Sequence, residues 1–168
     1  MQTDVLIIGS GIAGASAALR LSADSQRQIT LITSAERPIE SNSQYAQGGI
    51  VGRGQEDSSD MLKEDILNAG DGICFPEAVE ILAKEGPELL QQILIDQVGV
   101  LFDEKESGGL VYGLEAAHSR RRILHVGDFT GKAIMRALLQ KLDEQPNVNI
   151  LTGQTAIDLI TFPHHARN

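Results

Sequence analysis

The sequence predicts an α/β fold of the Rossmann type, a parallel sheet with helices packed on it, and three observations carry that expectation. An apolar run, Val5-Leu6-Ile7-Ile8, feeds into Gly9-Ser10-Gly11-Ile12-Ala13-Gly14 and then an alanine-rich segment, the order of strand, glycine turn and helix. A second apolar run, 29–33, follows at the spacing of a βαβ unit, and a third, 148–151, supplies the next parallel strand after a very long crossover. The composition agrees, since 42% of residues are hydrophobic but only two are tyrosine, four phenylalanine and none tryptophan. Ile, Leu, Val and Ala must therefore fill the core, as they do under a buried parallel sheet.

The glycine turn carries the first chemistry. Gly9 permits the tight turn, Gly11 lets a pyrophosphate approach the backbone, and Gly14 lets the helix lie close on the strand. The N–H groups and dipole of the helix start then face the phosphates, which makes this a dinucleotide site. Ala15, Ala18, Leu19 and Leu21 turn one face to the sheet. Nucleotide proteins of this type usually place an acid after the second strand for the ribose hydroxyls. Thr33 and Ser34 stand there, with Glu36 two positions on, so either Ser34 or Glu36 could serve.

Residues 40–54 are polar and glycine-punctuated, and read as a loop that presents its backbone to a ligand. Ser58-Ser59-Asp60 caps a helix that runs to about residue 68, and Gly70-Asp71-Gly72 breaks it. Two helical pieces follow, 77–84 and 87–97, with Pro87 at a first helical position and Leu90, Ile93 and Leu94 on one apolar face. Val100-Leu101-Phe102 reads as a short strand and 104–109 as a polar turn. A basic cluster, His118-Ser119-Arg120-Arg121-Arg122, leads into Ile123-Leu124-His125-Val126. Asp128 or Thr130 caps a helix over 131–143 with Ile134, Leu138, Leu139 and Leu142 on one side, and Pro146 stops it. A further strand is expected over 155–161.

With 168 residues, one compact unit is expected. A net charge of −9 argues against nucleic acid or an anionic membrane as partner. Cys74 is the sole cysteine, so no disulfide framework forms, and no apolar run approaches a membrane span. The expected setting is a reducing cytoplasm. His118 and His125 have no companion at zinc spacing and read as hydrogen-bonded structural residues, His164-His165 receives no role, and no metal site is expected. Of the three arginines, at least two should pair with neighbouring carboxylates, the third being open to substrate or cofactor.

Three blocks together resemble the L-aspartate oxidase family, flavoproteins of the fumarate reductase and succinate dehydrogenase superfamily. They are residues 5–14, the loop 41–50, and 115–131, which reads EAAHSRRRILHVGDFTG. The Glu-x-x-His-Ser-x-Arg-Arg-Ile-Leu-His string discriminates best. Members are much longer, so the resemblance implies that residues 1–168 are the N-terminal part of an FAD-binding domain, with capping and C-terminal helical domains outside this chain. It implies that Ser10, Gly11, Ile12 and Ala13 face the FAD pyrophosphate. The loop Asn42-Ser43-Gln44-Tyr45-Ala46-Gln47-Gly48-Gly49 should pass the ribityl chain and isoalloxazine ring, and Ala156 or Ile157 should brush the adenine. The family's usual Ser-Lys after the second strand is Ser34-Ala35 here, which leaves out the lysine contact.

The resemblance also implies a reaction. Relatives that attach FAD covalently do so through a histidine opening the loop, where this chain has Asn42, so FAD is expected to be noncovalent. Glu115 would select aspartate, because an acid near the reacting carbon favours a substrate ammonium and disfavours succinate. The implied activity is oxidation of L-aspartate to iminoaspartate, with fumarate or oxygen as acceptor and the product passing to quinolinate synthesis for NAD. Quinolinate synthase is then a candidate partner. The family's proton-abstracting arginine belongs to the capping domain. A noncovalent fumarate reductase, or a nonenzymatic nucleotide-binding module, is the alternative.

Overall fold

A computed structural model describes residues 2–115 and 117–159. In chain order these form β1 (Val5–Ile8), α1 (Ile12–Ser22), β2 (Ile29–Ile32), β3 (Ile50–Val51), α2 (Ser59–Ala69), α3 (Pro76–Leu89), a π-helix (Leu90–Gln97), β4 (Ile123–Leu124), α4 (Thr130–Asp143) and β5 (Val148–Leu151). The single unit expected from length is not what forms. The chain divides into two compact units, residues 1–41 with 139–168, and residues 42–138. The segment between β2 and β5 is long enough to build its own hydrophobic core.

The first unit carries a three-stranded parallel sheet in the order β1-β2-β5, with Val5 opposite Ile29 and Ile29 opposite Val148. Buried Ala15, Ala18, Leu19 and Ser22 recur at helical spacing on α1, so the buried face passes through Ser22 and leaves Leu21 only half-buried. Ser22 is tolerated there because its hydroxyl donates to the Leu19 carbonyl at 2.8 Å. Buried Asn147 donates through its amide nitrogen to the carbonyls of Ser22, Asp24 and Arg27 at 3.0–3.1 Å, fixing the α1–β2 turn against the start of β5. The strand expected at 155–161 does not form over 155–159, and residues 160–168 lie outside the described ones.

In the second unit β3 and β4 pair antiparallel, Ile50 opposite Leu124 and Val51 opposite Ile123. Ser58 caps α2 by accepting from the Met61 N–H at 3.2 Å. Glu80 bridges Lys63 of α2 and Lys84 of α3, and the hydrogen bond from Lys63, then that from Lys84, holds its carboxyl at about 2. Where two helical pieces were expected, α3 runs unbroken through Pro87 into the π-helix. Proline takes a helical N–H from the carbonyl four residues back. That carbonyl, on Ala83, accepts instead from the Arg53 guanidinium at 3.2 Å. Residues 100–102 alternate buried, exposed and buried, yet form no strand. The Val100 N–H donates back to the Leu94 carbonyl of the π-helix, and the next residue, Asp103, donates to the His125 carbonyl just after β4. The helix α4 begins at Thr130, and the Thr130 hydroxyl accepts from the Val126 N–H.

A buried ion group ties these pieces together. Arg122 is fully buried and donates to both oxygens of Asp57, at 2.9 and 2.7 Å, and to Asp65 at 2.5 Å. The same guanidinium lies 3.1 Å from His118 Nδ1, which must accept, placing the ring proton on Nε2. Asp65 also accepts from the backbone N–H and hydroxyl of Ser119. Burial by itself would raise the Asp65 pKa, but the bonds from Ser119 and Arg122 and the Arg122 charge outweigh it and hold it below the usual value. Burial likewise acts to lower the Arg122 pKa, and Asp57 and Asp65 overcome it.

Two measurements test this group in the full-length protein. Arg122→Met strands two carboxylates without their cation and should cost about 3–5 kcal/mol of stability, read from the urea midpoint. A depressed carboxylate contributes stability that is complete above its unfolded value, about pH 4, and lost as pH falls through the folded value. The urea midpoint should therefore drop more steeply below pH 4 in the wild type than in Asp65→Asn.

Candidate functional site

In the first unit the site residues converge at the carboxyl ends of β1 and β2. Gly9 follows β1 with φ +104°, a region closed to residues with a Cβ, and its N–H donates to the Ile32 carbonyl at 2.8 Å. A Cβ on Gly14 would stand 1.9 Å from the Gly9 carbonyl oxygen, so only glycine allows α1 to pass this close to the turn. Gly11 precedes α1 and caps it with no side chain, and the first turn, which includes Ile12 and Ala13, holds no acid. Ser10 is 2% exposed, and its hydroxyl has no hydrogen-bond partner among the described residues. An uncapped helix start beside an orphaned hydroxyl is the donor set that a pyrophosphate satisfies.

Ile8, Gly9, Ile32, Thr33, Ser34, Gln154, Thr155 and Ala156 line a cavity of about 210 Å³ at this end of the sheet. The chain after β5 reaches it because Gly153 and Gln154 continue the pairing with donations to the Ala35 and Thr33 carbonyls at 2.9 Å. Ser34 and Ala156, expected on separate grounds to meet the same end of the cofactor, share this one cavity. Glu36 is exposed and does not line it.

In the second unit residues 42–49 make a tight, hydrogen-bonded loop without regular structure. Tyr45 N–H donates to the Asn42 carbonyl and Ala46 N–H to that of Ser43. The Ala46 carbonyl then accepts from Gly131 at 3.0 Å, and a Cβ on Gly131 would lie 2.0 Å from the Ser43 carbonyl oxygen. The loop is thus seated through its backbone on the first turn of α4. Tyr45 is 64% exposed, and Gln44 is half-buried while Gln47 is exposed.

The loop ends at Glu115. The Gly49 N–H donates to Glu115 Oε1 at 3.3 Å, and His125 Nε2 stands 3.7 Å from the same oxygen. A Cβ on Gly48 would be 3.9 Å from both carboxylate oxygens, so the carboxylate lies across that glycine. The structure thereby brings together Gly48, Gly49 and Glu115, which are 66 residues apart at the hydrogen bond.

Of the three arginines only Arg122 pairs with carboxylates among the described residues, where two were expected. Arg120 and Arg121 are exposed, and Arg120 donates to the Ser119 carbonyl. The sequence reading missed Asp57 and Asp65 altogether. Asp65 carried a signal, since it sits three residues after buried Leu62 on the inward face of α2, where an acid needs a partner. The same reading made His125 a hydrogen-bonded structural residue and did not connect it with Glu115, 10 positions earlier, whose Oε1 its Nε2 faces at 3.7 Å. Among the described residues no three His, Cys, Asp or Glu side chains converge as a metal site.

Comparison with known proteins places this geometry. The L-aspartate oxidase of Halobacterium salinarum is 43% identical over 159 residues, which cover 95% of this chain and 30% of that protein. The chloroplastic L-aspartate oxidase of Oryza sativa is 40% identical over 94% of this chain and 24% of its own length. The chain thus spans less than a third of these curated relatives. A solved quinol-fumarate reductase with menaquinol molecules superposes with a TM-score of 0.83 at 23% identity, over 91% of this chain and 27% of that one, a likeness of fold. Residues 4–167 match the family described as FAD binding domain, nearly the whole chain. With that match and the cradle of Gly9, Ser10 and the α1 start in place, the chain belongs to the FAD binding domain family and its cofactor is FAD.

Proposed function

We propose that this chain is the FAD-binding portion of an enzyme that oxidises L-aspartate to iminoaspartate. One observation carries the reading: an ionisable carboxylate, Glu115, is held on the Gly48-Gly49 end of the loop by a backbone N–H. A dicarboxylate alone would be repelled by it, whereas an amino-dicarboxylate brings an ammonium to meet it. The identity of 37–43% to curated L-aspartate oxidases supports the same choice.

FAD, when bound, supplies the acceptor for the hydride leaving the substrate Cα. The chain's own residues bind and orient. Gly9, Gly11 and the N–H groups opening α1, together with the Ser10 hydroxyl, hold the pyrophosphate. Ile12, Ala13 and Gly14 keep that turn close, Ser34 and Ala156 hold the adenosine end, and residues 42–49 line the flavin. Asn42 offers an amide, which is no nucleophile for covalent attachment, so FAD is held noncovalently. Glu115 orients the substrate ammonium. Fumarate or oxygen would be the electron acceptor, and the product would pass to quinolinate synthase in NAD biosynthesis. The setting is the cytoplasm, in keeping with a single cysteine and, among the described residues, no helix long and apolar enough to cross a membrane.

The deciding experiment is an anaerobic visible spectrum of the full-length protein. Aspartate should bleach the flavin band and succinate should not, while equal bleaching by both would replace this reading with a fumarate reductase. Glu115→Gln should lower kcat/KM for aspartate roughly 10- to 100-fold, the worth of one charged contact, with a smaller loss for fumarate reduction. Gly14→Val drives a side chain into the Gly9 carbonyl, and the purified full-length variant should retain less than half the flavin of the wild type, measured by absorbance.

A further inference from the structure

His125 is a polar group beside Glu115 to which the proposed function gives no role. It follows β4, whose Ile123 and Leu124 are both buried, and its side chain is 26% exposed. The ring stands in a slot between two glycines. A Cβ on Gly49 would come within 2.8 Å of its Cε1, and a Cβ on Gly113 within 2.5 Å of its Nε2. The pairing explains the slot: Gly49 precedes Ile50 in register with Leu124, and Gly113 bridges Ile123 from the other side. A side chain at Gly113 would displace the imidazole first, and one at Gly49 would press on Ile123, the Leu124 carbonyl and the imidazole together.

From that slot Nε2 points at Glu115. The separation of 3.7 Å to Oε1 is too long for a direct hydrogen bond but short enough for electrostatic attraction in the tautomer with its proton on Nε2. The Gly49 N–H reaches the same Oε1. The imidazole nitrogen and the backbone amide therefore both lie against one carboxylate oxygen, and among the described residues no hydrogen bond is made to Oε2. The Glu115 side chain is 45% exposed, so that free oxygen can meet a solute.

We propose that His125 is a positioning residue that, with the Gly49 amide, fixes Glu115 through Oε1 so that Oε2 is presented to the ammonium of an amino-dicarboxylate substrate. The inference rests on the reading of Glu115 given above and adds the group that makes its selectivity work. A glutamate free to rotate would spread its charge over many positions and give little discrimination. Held at one oxygen, it places its charge at one point in space. His125 itself touches neither substrate nor cofactor in this scheme.

The test uses the full-length enzyme loaded with FAD, each variant being checked for flavin content and circular dichroism. His125→Leu should raise the KM for aspartate roughly tenfold relative to that for fumarate, while its kcat for aspartate changes less, the pattern of lost binding orientation. His125→Gln, whose amide nitrogen reaches a similar position to Nε2, should restore most of the preference. In a Glu115→Gln background, His125→Leu should add less than a twofold change, because the group it positions is already gone. If His125→Leu fails to fold, His125→Asn carries the test, since its shorter amide stays polar yet withdraws from Glu115 and should behave as the leucine variant is expected to.

Equal shifts for aspartate and fumarate, no rescue by glutamine, or full additivity with Glu115→Gln would each overturn the proposal. A wild-type enzyme with no preference for aspartate over succinate would sink the functional reading and this inference with it. Preference kept in the wild type and in His125→Leu but lost in Glu115→Gln would sink the role of His125 alone.

Discussion

The second unit depends on one buried cation. Arg122 cannot shed its charge, so taking it out of water is tolerable only because Asp57 grips it with two parallel hydrogen bonds and Asp65 with a third. Those partners come from different places in the chain, the approach to α2 and its inward face, and they are bound to each other through the arginine. Ile123 and Leu124 follow Arg122 directly, so the ion group also fixes where β4 runs and hence where it meets β3. His118 and Ser119, drawn into the same group, hold the far end of the segment that carries Glu115. A buried ion group seldom adds net stability over an apolar core. Its use here is to leave one arrangement of this loop-rich segment satisfied.

The first unit is governed by a different constraint, the closeness of backbone to backbone. With the Gly14 Cα packed on the Gly9 carbonyl, α1 starts directly after the end of β1, and no side chain caps that start. The carboxyl edge of the sheet holds the small cavity shared by Ser34 and Ala156. Ligands collect at this edge in open α/β sheets because strand ends and helix starts coincide there. A phosphate group needs those oriented dipoles all the more in a chain of net charge −9, where the overall field repels it.

What the sequence made legible follows from which forces are local. The glycine turn, α1, β2, the Ser58 cap and β5 were readable because each is set by residues within a few positions of one another. The continuation of α3 through Pro87 was not, since it depends on the Arg53 guanidinium reaching the Ala83 carbonyl from thirty residues away. The division into two units was hidden for the same reason: the buried group of Asp57, Asp65 and Arg122 that organises residues 42–138 spans contacts of 57 and 65 positions. The site itself was half legible. The loop and Glu115 stood out through the family resemblance, but His125 acquires meaning only once two distant glycines are seen to make room for it.

That distribution bears on how such a site discriminates. Glu115 adds a negative charge to an already acidic chain, at the end of a loop expected to line an anionic cofactor. In the role proposed for it, that placement would raise the cost of binding any dianion, and the cost would be recovered only by a substrate that carries a cation to the same point. Under that proposal, selectivity would come from a repulsion that one substrate alone can cancel, a sharper filter than an added attraction. The filter works only as well as the carboxylate is held. A backbone amide and an imidazole seated between glycines meet the same carboxylate oxygen with parts that have few rotamers to lose, so the proposed discrimination would rest on rigid neighbours and not on the flexible glutamate that delivers it.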